Sequence, residues 1–173
     1  WVFHMDSKVL KKLGGPEATP ATLMFAKFSP QGNRVAYVRE HNIYVENLEN
    51  HEIIQLTQDG TDRIINGTFD WAYEEEFHCR DGFRWSPDGR NIAYWRIDAT
   101  TIRDFYMINN TDSIYSYLIP VEYPKAGEKP SEAKIGVVGA SGGSTVWMQI
   151  EGDPTNNYLP RMIWHPNGDK LLM

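Results

Sequence analysis

An all-β fold of propeller type is predicted by a turn motif that recurs three times, by the strand-like runs flanking each copy, and by the near absence of helical periodicity. The copies are Phe28-Ser29-Pro30-Gln31-Gly32, Trp85-Ser86-Pro87-Asp88-Gly89 and Trp164-His165-Pro166-Asn167-Gly168. Each leads into an apolar run: Val35-Ala36-Tyr37-Val38, Ile92-Ala93-Tyr94-Trp95 and Leu171-Leu172-Met173. Proline at the second turn position presets φ, and glycine supplies the positive φ of the return. An aromatic before the turn and apolar residues after it pack two antiparallel strands onto one core, so each copy reads as a hairpin.

The elements follow in order. The first twenty residues are interrupted by Gly14-Gly15, Pro16 and Pro20, and they read as a connecting strand from a preceding blade. The first hairpin is followed by Ile43-Tyr44-Val45 and Ile53-Ile54-Gln55-Leu56, two further strands joined through Asn47 to His51. Four antiparallel strands in roughly 40 residues make one propeller blade. The second copy opens a second blade, and the third gives the first hairpin of another. Phe28 and Trp85 are 57 residues apart, and Trp85 and Trp164 are 79 apart. Both gaps exceed the roughly 40–45 residues of a simple repeat. The surplus lies around Asp59 to Arg80 and around Ala99 to Lys134. Insertions in repeat folds sit on loops and often carry the function. A propeller closes with about four to eight blades. Residues 1–173 are therefore expected to be a fragment, two four-stranded blades plus part of a third, cut at both ends from a larger ring.

Composition narrows the function. The 173 residues carry 17 Lys+Arg against 23 Asp+Glu, a net charge of -6, which argues against a nucleic-acid surface. No run approaches 18 apolar residues, so no membrane span is expected. The single cysteine, Cys79, leaves no internal disulfide to form. The histidines His4, His41, His51, His78 and His165 show no metal-ligand spacing, and neither a metal nor another cofactor is expected.

The sharpest chemical feature is Asp70-Trp71-Ala72-Tyr73-Glu74-Glu75-Glu76-Phe77, three consecutive carboxylates framed by large aromatics. Adjacent carboxylates repel, so a rigid site that keeps two of them charged favours a compensating cation. A bound ammonium suits this role because it offers three donors. A solvated acidic turn is the structural alternative. A divalent metal is another, although no calcium-loop pattern accompanies the run.

Asn66-Gly67, Asp70-Trp71, Tyr73-Glu74-Glu75-Glu76, Trp85-Ser86-Pro87 and Tyr123-Pro124-Lys125-Ala126-Gly127, in this order, resemble the N-terminal propeller of the dipeptidyl peptidase IV family, serine peptidases of the prolyl oligopeptidase class. The resemblance implies an eight-bladed propeller capping an α/β-hydrolase domain, within the range of about four to eight blades. It implies removal of Xaa-Pro or Xaa-Ala dipeptides from peptide N-termini. The second and third glutamates of the triple, Glu75 and Glu76 here, would hold the substrate's free α-amino group. Asp70, Trp71, Tyr73 and Glu74 would support them. The family's catalytic Ser, Asp and His, and an arginine that helps bind the substrate carbonyl, lie outside this chain. An extracytoplasmic location is implied as well. A propeller that binds a peptide or protein partner without catalysis is the alternative.

Three further patterns have plainer readings. Gly139-Ala140-Ser141-Gly142-Gly143 fits the G-x-S-x-G nucleophile pattern and is followed by Asp153 and His165. A nucleophile elbow must turn from strand into helix, whereas Ser144 to Ile150 is β-rich, so a hairpin tip is expected. The insertion from Ala99 to Lys134 holds Phe105, Tyr106, Ile108, Ile114, Tyr115, Tyr117 and Ile119, too much apolar surface to leave uncovered. It folds back on its own blade or packs against another subunit, and the resemblance implies a homodimer arm. Asn66-Gly67-Thr68 and Asn109-Asn110-Thr111 match the glycosylation pattern, which arises often by chance.

Overall fold

The computed structural model describes residues 1–173 and is built almost entirely of antiparallel β-structure. The chain opens with strands β1 (Val2–His4) and β2 (Val9–Lys11), which pair as a hairpin. The sequence had suggested a single connecting strand here. The difference lies in the turn at Asp6-Ser7-Lys8, where Lys8 takes φ 57° and the Ser7 N–H donates to His4 Nδ1 at 3.2 Å.

Blade I is the sheet β3 (Leu23–Phe28), β4 (Arg34–Arg39), β5 (Asn42–Asn47) and β6 (Ile53–Gln55), hydrogen-bonded in that order. Blade II begins with β7 (Ile64–Asn66), a short helix α1 (Trp71–Phe77) and β8 (Phe83–Trp85). It continues with β9 (Asn91–Asp98), a protruding hairpin of β10 (Asp104–Asn109) and β11 (Tyr117–Glu122), then β12 (Glu132–Gly139) and β13 (Val146–Trp147). The last hairpin is β14 (Ile163–Trp164) with β15 (Leu171–Leu172). Two blades, the β1–β2 hairpin before them and the β14–β15 hairpin after them are thus present, the blades and the last hairpin as the repeat predicts, and the ring is not closed.

The three turn motifs make one pattern of bonds. The N–H groups of Ser29, Ser86 and His165 donate across the turn to the carbonyls of Arg34, Asn91 and Lys170 at 2.8, 2.9 and 2.9 Å. Those of Gly32, Gly89 and Gly168 donate to the carbonyls of Ser29, Ser86 and His165 at 2.9, 2.8 and 2.8 Å. The motif also sets blade against blade. The Trp85 indole N–H donates to the Lys27 carbonyl, and the Trp164 indole N–H to the Arg84 carbonyl, both at 3.1 Å. In each case the acceptor is the residue just before the aromatic of the preceding copy, so the repeat fixes register between sheets as well as within them.

The cores lie between the sheets. Side chains alternate along a strand. Ala36 and Val38 of β4 therefore face Phe83, Ile92, Tyr94 and Val138 of blade II, while Val35 and Tyr37 face Leu13 and Tyr44 on the other side. On β9, Ala93, Trp95 and Ile97 enter a third core with Phe69, Tyr73, Ile135, Leu159 and Met162. The Gly139–Gly143 stretch is a turn between β12 and β13, with the Gly142 N–H donating to the Gly139 carbonyl at 2.9 Å. No helix follows Ser141, so the nucleophile-elbow geometry is absent. Asn66 is fully buried, and its amide donates to the His41 carbonyl at 3.2 Å and to Asp59 at 2.9 Å. That makes it a core residue of the folded protein, closed to a glycan.

Candidate functional site

Strands β7 and β8 pair with the same edge of β9, Ile64–Asn66 against Asp98–Arg96 and Phe83–Trp85 against Tyr94–Ile92. They are two halves of one strand position. The chain leaves the ladder at Gly67 and returns at Gly82, and everything between is an excursion from that strand. Its neck is closed by three backbone bonds. Gly67 N–H donates to Trp95 O at 3.0 Å, Trp95 N–H to Gly82 O at 2.9 Å, and Gly82 N–H to Gly67 O at 2.8 Å. Gly67 has φ +78°, and a Cβ on Gly82 would lie 2.7 Å from the Gly67 carbonyl carbon. Both positions require glycine, one for its backbone conformation and one for the close approach.

The excursion carries the acidic run, and here the structure corrects the sequence reading. Residues 71–77 form a helix, where the sequence shows little helical signal and offers a solvated turn as the structural alternative. Asp70 is the N-cap, its carboxylate accepting the Tyr73 N–H at 3.1 Å. His78, at φ 56°, ends the helix in the left-handed conformation, and Cys79 N–H reaches back to the Tyr73 carbonyl at 3.1 Å. The signals available were the Asp70 cap, the lack of Gly, Pro or β-branched residues from 71 to 77, and aromatics at 73 and 77 one turn apart.

A seven-residue helix has little stability of its own, and tertiary contacts fix this one. Tyr73 is 1% exposed and packs against Phe69, Phe77 and Tyr158 with ring centroids 5.5, 5.4 and 6.0 Å apart. Its hydroxyl accepts the Leu159 N–H at 3.1 Å, and the Leu159 carbonyl accepts the Trp95 indole N–H at 2.7 Å. Burial pushes the Tyr73 phenol up to about 12, so it stays neutral at ordinary pH. On the other side Trp71 packs on Tyr123 with centroids 4.3 Å apart. Two of the motifs that carry the family resemblance, more than forty residues apart in sequence, therefore touch.

Of the triple, Glu74 is half-buried, whereas Glu75 and Glu76 are exposed. No lysine, arginine or histidine forms an ion pair with any of the three. Asp70, Trp71 and Tyr73 all serve the helix by capping or packing it. No group of three or more His, Cys, Asp or Glu side chains is placed to hold a metal ion. Cys79 is a free, half-buried thiol whose pKa is raised by burial. No helix is long and apolar enough to cross a membrane.

The fold and the site define a β-propeller segment whose blade II carries an acidic helical excursion at the edge of β9. A family model described as the dipeptidyl peptidase IV (DPP IV) N-terminal region matches residues 1–173, and the chain belongs to that family. It is similar to dipeptidyl aminopeptidase B of Saccharomyces cerevisiae, at 29% identity over 99% of this chain and 21% of the relative. It is also similar in structure to Porphyromonas gingivalis dipeptidyl peptidase 4. There the TM-score is 0.80 and the identity 32%, over 86% of this chain and 21% of the other. The chain thus spans about a fifth of the length of these two relatives.

Proposed function

We propose that this chain is the substrate-recognition segment of an extracytoplasmic serine exopeptidase that removes N-terminal Xaa-Pro or Xaa-Ala dipeptides, and that Glu75 and Glu76 anchor the substrate's α-ammonium. The observation that carries the reading is the contrast within α1. One side of the helix is locked into the core through Tyr73, while Glu75 and Glu76 stand exposed and without a cation. Successive helical residues diverge by about 100°, so the two carboxylates approach a small cation from different directions. Each charge-assisted hydrogen bond contributes roughly 1.5–3 kcal/mol net.

The anchor works as a ruler. With the ammonium fixed, the bond two residues further on is presented to the nucleophile of the hydrolase domain, and proximity restricts reaction to that bond. An N-acylated peptide loses the charge and leaves the carboxylates unpaired, which costs binding and positioning together. The exposed apolar arm favours a second element of the reading. Ile114 is 97% and Tyr115 84% exposed at its tip. The arm β10–β11 packs against a second copy of the protein.

The test uses the full-length parent enzyme with Ala-Pro and N-acetyl-Ala-Pro chromogenic substrates. Wild type cleaves only the free-amine substrate, and combined Glu75→Gln and Glu76→Gln lowers kcat/KM on it by about tenfold to several hundredfold, from the loss of one or more charge-assisted bonds. Equal cleavage of both substrates, or a folded double variant with unchanged kcat/KM, overturns the anchor.

A further inference from the structure

The root of the arm is joined to the glutamate helix by contacts that packing of the arm tip does not require. Arg63, the residue before β7, holds the bottom rung of the arm. Its guanidinium donates to the Ile102 carbonyl at 2.7 Å and to Asp104 at 2.5 Å, and its Nε lies 3.6 Å from Glu122. Asp104 and Glu122 face each other across the hairpin. Tyr123 follows Glu122 directly, and its ring meets Trp71, the first residue of α1. Phe105 packs on Tyr123 with ring centroids 5.9 Å apart, and the Lys125 ammonium lies 5.4 Å from the Phe105 ring centre.

Tyr73 and Ala72 are buried and seat one side of the helix in the core. The Trp71–Tyr123 contact supplies a second point. Trp71 and Glu75 are four residues apart and share one helix face, so the seat of the indole sets the direction of the Glu75 carboxylate. We infer that Tyr123 is a positioning residue for the N-terminal anchor, acting on Glu75 through Trp71. The inference rests on the anchor reading above. It makes the arm root part of the substrate site, and it gives whatever the arm binds a mechanical path to the ammonium.

The test measures KM and kcat of the full-length enzyme on Ala-Pro chromogenic substrate for Tyr123→Ala and Tyr123→Phe, each with and without Glu75→Gln. An aromatic pair of this kind supports a change of about two- to tenfold. Tyr123→Ala is expected to raise KM by that factor, Tyr123→Phe to restore it, and Tyr123→Ala to have no further effect once Glu75 is Gln. A merely structural role would lower activity equally in both backgrounds, and that result overturns the inference. So does an unchanged KM in Tyr123→Ala while Glu75→Gln alone is impaired. If Glu75→Gln is itself without effect, the anchor reading falls and the inference with it. Should Tyr123→Ala not yield folded protein, Tyr123→Leu keeps the bulk without the ring and carries the same comparison.

Discussion

Replacing Tyr73 with Phe removes one oxygen and leaves the ring in place. Its neighbours Phe69, Phe77 and Tyr158 keep their packing, so no ring-sized cavity opens. What is lost is the acceptor for the Leu159 N–H, 3.1 Å away at a residue only 8% exposed. A buried donor left without a partner costs about 1–3 kcal/mol. Because the Leu159 carbonyl remains held by the Trp95 indole, the backbone there cannot swing out to water without breaking a second bond. The cost therefore falls on local opening. At 1.4 kcal/mol per factor of ten, amide exchange in residues 155–162 of the full-length protein should accelerate about five- to hundredfold. The segment 34–47 of blade I should exchange at its wild-type rate, since its core is separate. Hydrogen exchange read by mass spectrometry separates the two segments. Unchanged exchange around Leu159 would refute the claim that the Tyr73 hydroxyl ties the helix to this loop.

Two further outcomes follow from the same geometry. Gly82→Ala places a Cβ 2.7 Å from the Gly67 carbonyl carbon, 2.9 Å from Thr68 N and 3.0 Å from the Gly67 oxygen. All are backbone atoms that cannot turn aside, so a destabilisation of roughly 1–3 kcal/mol is expected, as for overpacking, with faster exchange across 67–82; a protein with unaltered Tm and exchange would show that the neck is slack. For the anchor, the α-amine of a free peptide has a pKa of about 7.7–8.0 and binds as the protonated form. The kcat/KM on a free-amine substrate should therefore fall as pH rises through about 8, and a substrate with a less basic amine should move that limb down by the difference in pKa; a limb that stays put with every substrate belongs to the enzyme and contradicts the ammonium requirement.

The blades were legible because their signal is local and repeated. Pro, Gly and an aromatic at fixed offsets specify a hairpin wherever they occur, and the three copies do form three hairpins with matching bonds. The blade-to-blade indole bonds were not legible, although their donors were already singled out as motif residues. Nothing in one copy states that its tryptophan reaches the residue before the previous aromatic. The helix was missed for a different reason. Seven residues give less than two full turns of periodicity, and three consecutive glutamates carry no helical spacing of their own. Glu75 and Glu76 stood out in the sequence as candidates for the site, and their surroundings were only partly readable. The framing aromatics do not enclose the carboxylates: Tyr73 faces the core and Trp71 packs on the arm, leaving both glutamates exposed. The partner of Trp71 lies beyond the reach of any local pattern, because Tyr123 returns only after the whole arm insertion.

The placement of the acidic helix as an excursion has a physical logic centred on Trp95. A helix cannot lie within a strand ladder without breaking it, yet the bonds at the neck let β8 resume pairing with β9 beside the point where β7 ended. The Trp95 backbone accepts from Gly67 and donates to Gly82, so one residue of β9 closes both sides of the neck. The Trp95 indole then holds Leu159, and Leu159 holds Tyr73. A single buried residue of the sheet thus grips the helix at its base and, through one intermediary, at its middle. Loss of a side chain this large from a core typically costs about 3–5 kcal/mol. In Trp95→Ala that cost would be concentrated on the excursion, which makes the seating of the helix in the core a property of the blade rather than of the loop that carries it.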